Sequence, residues 1–71
     1  MKIQRESECL YYIYKQNVNE KPVGSIQESH KGWHWERKDT GKKSTSYPDF
    51  GDAFLALEDD LGDTLTFIKA K

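Results

Sequence analysis

The sequence predicts an α+β domain: a three- to four-stranded antiparallel β-meander, one amphipathic helix in the C-terminal half packed on one face, and a possible short final strand. Three observations carry this. Residues 9–38 contain runs of alternating aromatic and branched side chains, the period of a strand. Pro48 closes the extended part, and Phe50, Phe54, Leu57 and Leu61 then recur on one helical stripe. Glycine, proline, asparagine and aspartate fall between the runs, where turns need them.

Residues 9–14 (Cys9, Leu10, Tyr11, Tyr12, Ile13, Tyr14) read as the first strand, and the polar run from Asn17 to Pro22 as a loop. Residues 23–28 form a second, weaker strand, and Lys31-Gly32 supplies a reversal. Residues 33–38 alternate strictly, with Trp33 and Trp35 on one face and His34, Glu36 and Lys38 on the other. Asp39-Thr40-Gly41 is a hairpin turn, and residues 43–47 supply a short fourth extended piece. In the helix, Asp49 is placed to cap the first turn, Asp52 adds a carboxylate where the dipole favours one, and Gly62 is the C-terminal stop. Residues 64–69 read as a final strand or a helix extension, their threonines and alternation favouring the strand. An amphipathic helix must bury its stripe, so the tryptophan face of the sheet should meet it. Leu55, about 140° from Phe50 on the wheel, either packs under the tail at Leu65 and Phe67, the favoured cover, or stands exposed as a contact residue.

With 71 residues the chain reads as a single domain over 1–71. Its longest apolar runs are five residues, against the roughly 18 needed to cross a bilayer, so no membrane role is expected. No apolar segment follows Met1-Lys2-Ile3-Gln4-Arg5-Glu6 to make a secretory signal. Cys9 is the only cysteine, so no internal disulfide forms, and the expected location is cytoplasmic. The core must rest largely on the aromatic side chains, which make up 13% of the residues. The serines and histidines satisfy no nucleophile motif, and a lone thiol cannot build a Cys/His metal quartet. No enzyme activity, metal or cofactor is expected.

The net charge of −1 conceals an uneven layout. Residues 30–47 carry Lys31, Arg37, Lys38, Lys42 and Lys43 against Glu36 and Asp39. Residues 48–63 carry Asp49, Asp52, Glu58, Asp59, Asp60 and Asp63 and no base. Two surfaces follow as protein-binding candidates. One is the sheet face away from the helix, with Tyr12, Tyr14, His34, Glu36 and Lys38, where tyrosine suits an interface because it buries area and still hydrogen-bonds. The other is the acidic helix end, Glu58, Asp59, Asp60 and Asp63, where the dipole disfavours negative charge and a basic partner would relieve it. The expected function is therefore that of a small soluble protein-binding module of adaptor or inhibitor type, its partner another protein or a second copy of the chain.

The stretch from Val23 to Leu61 resembles the three-stranded-sheet-plus-helix DNA-binding domains of plant ethylene-response factors and integrase arm-binding modules. The resemblance lies in Trp33-x-Trp35-Glu36-Arg37-Lys38-Asp39, the turn at Gly41, and Tyr47-Pro48-Asp49-Phe50 leading into Asp52-Ala53-Phe54. It implies a nucleic-acid-binding alternative carried by the basic hairpin at Arg37, Lys38, Lys42 and Lys43, with Tyr12 and Tyr14 stacking on bases.

Overall fold

The computed structural model describes residues 1–68 of the chain; Lys69, the end of the expected final extended segment, lies outside them. The elements run β1 (Lys2–Ser7), β2 (Leu10–Tyr14), β3 (Gly24–Ser29), β4 (Gly32–Arg37), α1 (Phe50–Leu61) and β5 (Thr66–Phe67). They form one five-stranded sheet in the order β4-β3-β2-β1-β5. Successive strands from β1 to β4 are antiparallel, whereas β5 lies parallel to β1. The α+β class and the helix in the C-terminal half are as the sequence predicts. The sheet exceeds the expected meander by β1 in front, and the short final strand is present as β5.

The helix begins where the chain's chemistry says it should. Asp49 is extended (φ −143°, ψ 168°) and its carboxylate accepts from the Asp52 amide at 2.9 Å, satisfying one of the free N–H groups of the first turn. Gly62 ends the helix in the left-handed region, and its amide donates to the Glu58 carbonyl at 2.9 Å.

Ile3, Ile13, Ile26, Trp35, Ala53, Leu57 and Leu65 form the buried core. The α1 backbone approaches β3 and β4 and none of the other strands. The remaining half of that face is roofed by side chains. Tyr11 and Phe50 lie 4.4 Å apart between ring centroids, Phe50 and Phe54 5.7 Å, and Phe54 stacks on Phe67 at 5.6 Å. Tyr11, Phe50 and Phe54 pack against the core cluster that contains Ile3 and Ile13, which are 0% and 1% exposed. Of the two placements expected for Leu55, the exposed one is found: this side chain is 63% exposed and the tail does not cover it. The tail instead runs along the β1 edge and sends Leu65 into the core. The indole N–H of Trp35 is buried and finds no acceptor among the described residues.

The two margins of the sheet differ. Along β4, residues 42–47 close the edge. Trp33 and Tyr47 exchange backbone bonds of 2.8 and 2.6 Å, Ser44 donates to the Trp35 carbonyl at 2.9 Å, and Arg37 donates to Lys42 at 2.7 Å. The expected fourth extended piece is thus a strip held by two isolated bridges, Trp33–Tyr47 and Glu36–Lys43, and not a full strand. At the other margin β5 has β1 on one side and, among the described residues, no strand on the other.

Candidate functional site

The face away from the helix assembles the residues expected there. Register places Lys2 beside Tyr14 and Gln4 beside Tyr12. The same face continues through Ser25 and Gln27 to Glu36 and His34. It is tightly knit. The Lys38 ammonium sits 5.6 Å from the centre of the Tyr12 ring, within range of a cation–π attraction. The Gln27 amide donates to the Ser25 hydroxyl at 3.0 Å, and Ser25 is 1% exposed. Tyr14 is only 7% exposed. Burial first, then the nearby Glu6 and Tyr12, push its phenol above the ordinary value, so it stays protonated. His34 Nε2 lies 3.8 Å from Glu36 Oε1 at the far side of the face.

The acidic helix end and the basic hairpin meet each other. Asp60 takes Arg37 Nη1 and Lys42 Nζ, both at 3.0 Å, while Arg37 also reaches Asp39 at 2.7 Å. Glu58 Oε2 accepts the Leu65 amide at 2.8 Å. Asp63 accepts the Met1 ammonium at 2.9 Å and the Thr64 amide at 2.8 Å. Of the four carboxylates, only Asp59 has no such bond among the described residues. The last helical turn contains no base of its own, so the hairpin supplies the cations that the dipole favours there. Of the four bases in the expected nucleic-acid surface, Arg37 and Lys42 are committed to this cluster and Lys38 to Tyr12, which leaves Lys43.

The cluster sets a pH response. Lys42 first and Arg37 second hold Asp60 below the ordinary carboxylate value of 3.8. The Arg37 guanidinium lowers Asp39, and the Met1 ammonium lowers Asp63. A carboxyl whose pKa is lower folded than unfolded stabilises the fold above its unfolded pKa and loses that contribution as pH falls through its folded one. Thermal midpoints should therefore hold steady from neutral pH to about 5 and drop through and below about 4. Asp60→Asn should lower the neutral midpoint and flatten the acid limb. An unchanged acid limb in this variant would place the acid sensitivity elsewhere.

A third feature lies beside β5. Lys2, Gln16, Asn17, Val18, Phe67 and Ile68 line a groove of about 350 Å³. Large exposed apolar side chains are few among the described residues: Val18 at 42%, Leu55 at 63% and Phe67 at 50%. Two of the three line this groove. Its polar wall is the loop after β2, held by Asn17, whose Oδ1 accepts the Asn19 amide at 2.9 Å and whose Nδ2 reaches Glu20 at 3.5 Å. No protein-family model, curated protein or solved structure matches this chain.

The sequence reading missed this groove because its residues are 49 positions apart, at Val18 and Phe67. Pairing of β5 with β1 brings them together, and that pairing has no local signature. The one hint was compositional: Val18 is an isolated apolar residue between two asparagines, in a loop that has no need of one.

Proposed function

We propose that the chain is a protein-binding module, acting without catalysis, that docks its partner in the groove beside β5. The observation that carries this reading is the convergence of Val18 and Phe67, two of the large exposed apolar side chains, on one groove beside β5, the last strand of the sheet among the described residues. Exposed apolar side chains scattered singly are ordinary on a protein surface, whereas a shared concave site with a polar rim suits recognition. The two surfaces favoured by residue type alone offer less. Tyr14 is buried, Tyr12 is capped by Lys38, and three of the four helix-end carboxylates are engaged within the chain.

The test is differential capture. Immobilised chain should retain a partner from its native cells, and Val18→Glu should abolish that retention while leaving the thermal midpoint unchanged, because the side chain is in an exposed loop. Tyr12→Ala and Asp59→Lys should retain the partner. Capture that survives Val18→Glu but fails with Tyr12→Ala would move the interface to the opposite part of the sheet face and overturn the assignment.

A further inference from the structure

We infer that the chain pairs with a second copy of itself on the helix side of the sheet, the helix of each copy seated over the strands that the other copy's own helix does not reach. This goes beyond the groove reading and uses a different surface of the molecule.

The helix side is stepped. Five strands spaced by about 4.8 Å span roughly 20 Å, whereas one helix with its side chains is only about 10–12 Å across. The α1 backbone lies over β3 and β4 alone. Beyond it, β2, β1 and β5 form a ledge surfaced by rings: Phe67 lies 6.2 Å from Tyr11 and 5.6 Å from Phe54 between centroids. Tyr11 and Phe54 are half-buried and Phe67 is exposed. Three strands make the ledge about 14 Å wide, enough for one more helix. The stacking of Phe54 on Phe67 turns that flank of α1 toward the ledge, and Asp60, bonded to Arg37 of β4, marks the opposite flank. At about 100° per residue, Leu55 stands one step beyond Phe54, at the corner between the ledge flank and the outer face, with Asp52 and Asp59 farther round. Gly51 falls between Phe54 and Leu55 on the wheel. Gly51, Asp52, Leu55 and Asp59 are all exposed, so an apolar corner with no bulky neighbour projects beside the ledge.

Charge selects the occupant. Arg5 is the cross-strand partner of Tyr11 and shares its face. Tyr11 in turn lies 4.4 Å from Phe50, which puts Arg5 level with the first turn of α1. Arg5 is exposed, donates from Nε to the Ser7 carbonyl at 3.2 Å, and forms no ion pair among the described residues. Asp52 is the acidic residue of that first turn and forms none there either. A two-fold axis parallel to the helix preserves height, so groups at one level in one copy meet groups at the same level in the other. Turning one copy about such an axis carries its α1, outer face first, onto the other's ledge. Leu55 then lands on Phe54 and Phe67, and Asp52 on Arg5, and the same contacts recur in reverse, as a two-fold interface requires. The chain thus carries both halves of the contact, a basic apolar ledge and an acidic apolar helix, which favours a second copy over an unrelated partner.

Sedimentation equilibrium provides the test. The mass should rise from 8.3 kDa toward twice that value as the concentration approaches millimolar. Leu55→Asp should weaken pairing about tenfold or more, with circular dichroism unchanged because the side chain is exposed. Arg5→Asp and Asp52→Arg should each weaken it, and the double variant Arg5→Asp/Asp52→Arg should recover to within a few fold of the parent. Val18→Glu, in the groove, should leave the mass unchanged. A chain that stays at 8.3 kDa up to millimolar concentration would overturn the pairing and leave the groove reading, judged by capture, standing. Pairing that survives Leu55→Asp, or that is abolished by Tyr12→Asp or Val18→Glu, would place the contact elsewhere and overturn the assignment. Failure of the double variant to recover would overturn the meeting of Arg5 with Asp52, and with it the two-fold arrangement.

Discussion

Leu57→Ala should destabilise the fold by about 2–5 kcal/mol, the usual cost of truncating a fully buried leucine. Leu57 is 1% exposed and packs in the cluster that includes Ile26, Trp35 and Ala53. A chain of this size has a total stability of only about 4–11 kcal/mol, from roughly 0.05–0.15 kcal/mol per residue. The substitution therefore removes a large part of what holds the helix to the sheet, because the α1 backbone approaches only β3 and β4 and Leu57 is, with Ala53, one of its two buried residues. Two positions earlier on the same helix, Leu55→Ala should cost under about 0.5 kcal/mol, since that side chain is 63% exposed. Urea denaturation of the two variants measures the contrast. Similar losses at both positions would mean that α1 buries a different face.

Gly32→Ala should cost on the order of 3 kcal/mol, from two additive causes. Gly32 has φ +118°, a region that side-chain-bearing residues rarely adopt, and an added Cβ would run into the carbonyl oxygen of Tyr47. The backbone strain alone is of order 1–3 kcal/mol. The clash pushes residue 47 off the sheet and threatens the two backbone bonds between Trp33 and Tyr47, each contributing about 0.5–1.5 kcal/mol. Gly41→Ala separates the causes: φ is +76° but nothing lies within 4 Å of the added atom, so only about 1–2 kcal/mol should be lost. Gly32→Ala should also shift the midpoint towards aggregation at high concentration, because a displaced 42–47 strip uncovers the β4 edge. Equal stability losses for the two alanine variants would show that residue 47 yields without cost.

Much of the architecture was legible from residue order, for reasons visible in particular elements. The helix was readable because its start, stripe and stop are all local: Asp49, the Phe50–Leu61 period and Gly62 each act within one turn. Strand β4 was readable because Trp33 and Trp35 alternate with His34 and Glu36. Strand β1 carried no such pattern. Its only buried side chain is Ile3, and the rest of Lys2–Ser7 is polar, so its place is fixed by pairing with β2 and β5 rather than by its own alternation. Charge was legible in sequence but not in space. The acidic helix end looked unanswered because the compensating Arg37 and Lys42 lie 23 and 18 residues away from Asp60. The alternation also placed Tyr12, Tyr14, His34, Glu36 and Lys38 on one face, yet gave no sign that Tyr14 would be buried there.

The position of β5 bears on when the groove exists at all. Hairpins β1–β2, β2–β3 and β3–β4 close between neighbours in the chain, whereas β5 returns from beyond the helix to pair with Lys2 and Ile3, some 64 positions away. That return gains only two residue pairs, while closing a long loop carries an entropic cost that grows with loop length. The strand that builds one wall of the groove is thus the least anchored part of the sheet, and its amides should exchange with solvent by local opening well below the global unfolding free energy. A partner held in the groove would oppose that opening, so protection of the Thr66 and Ile68 amides should rise with occupancy while protection in β3 and β4 stays fixed.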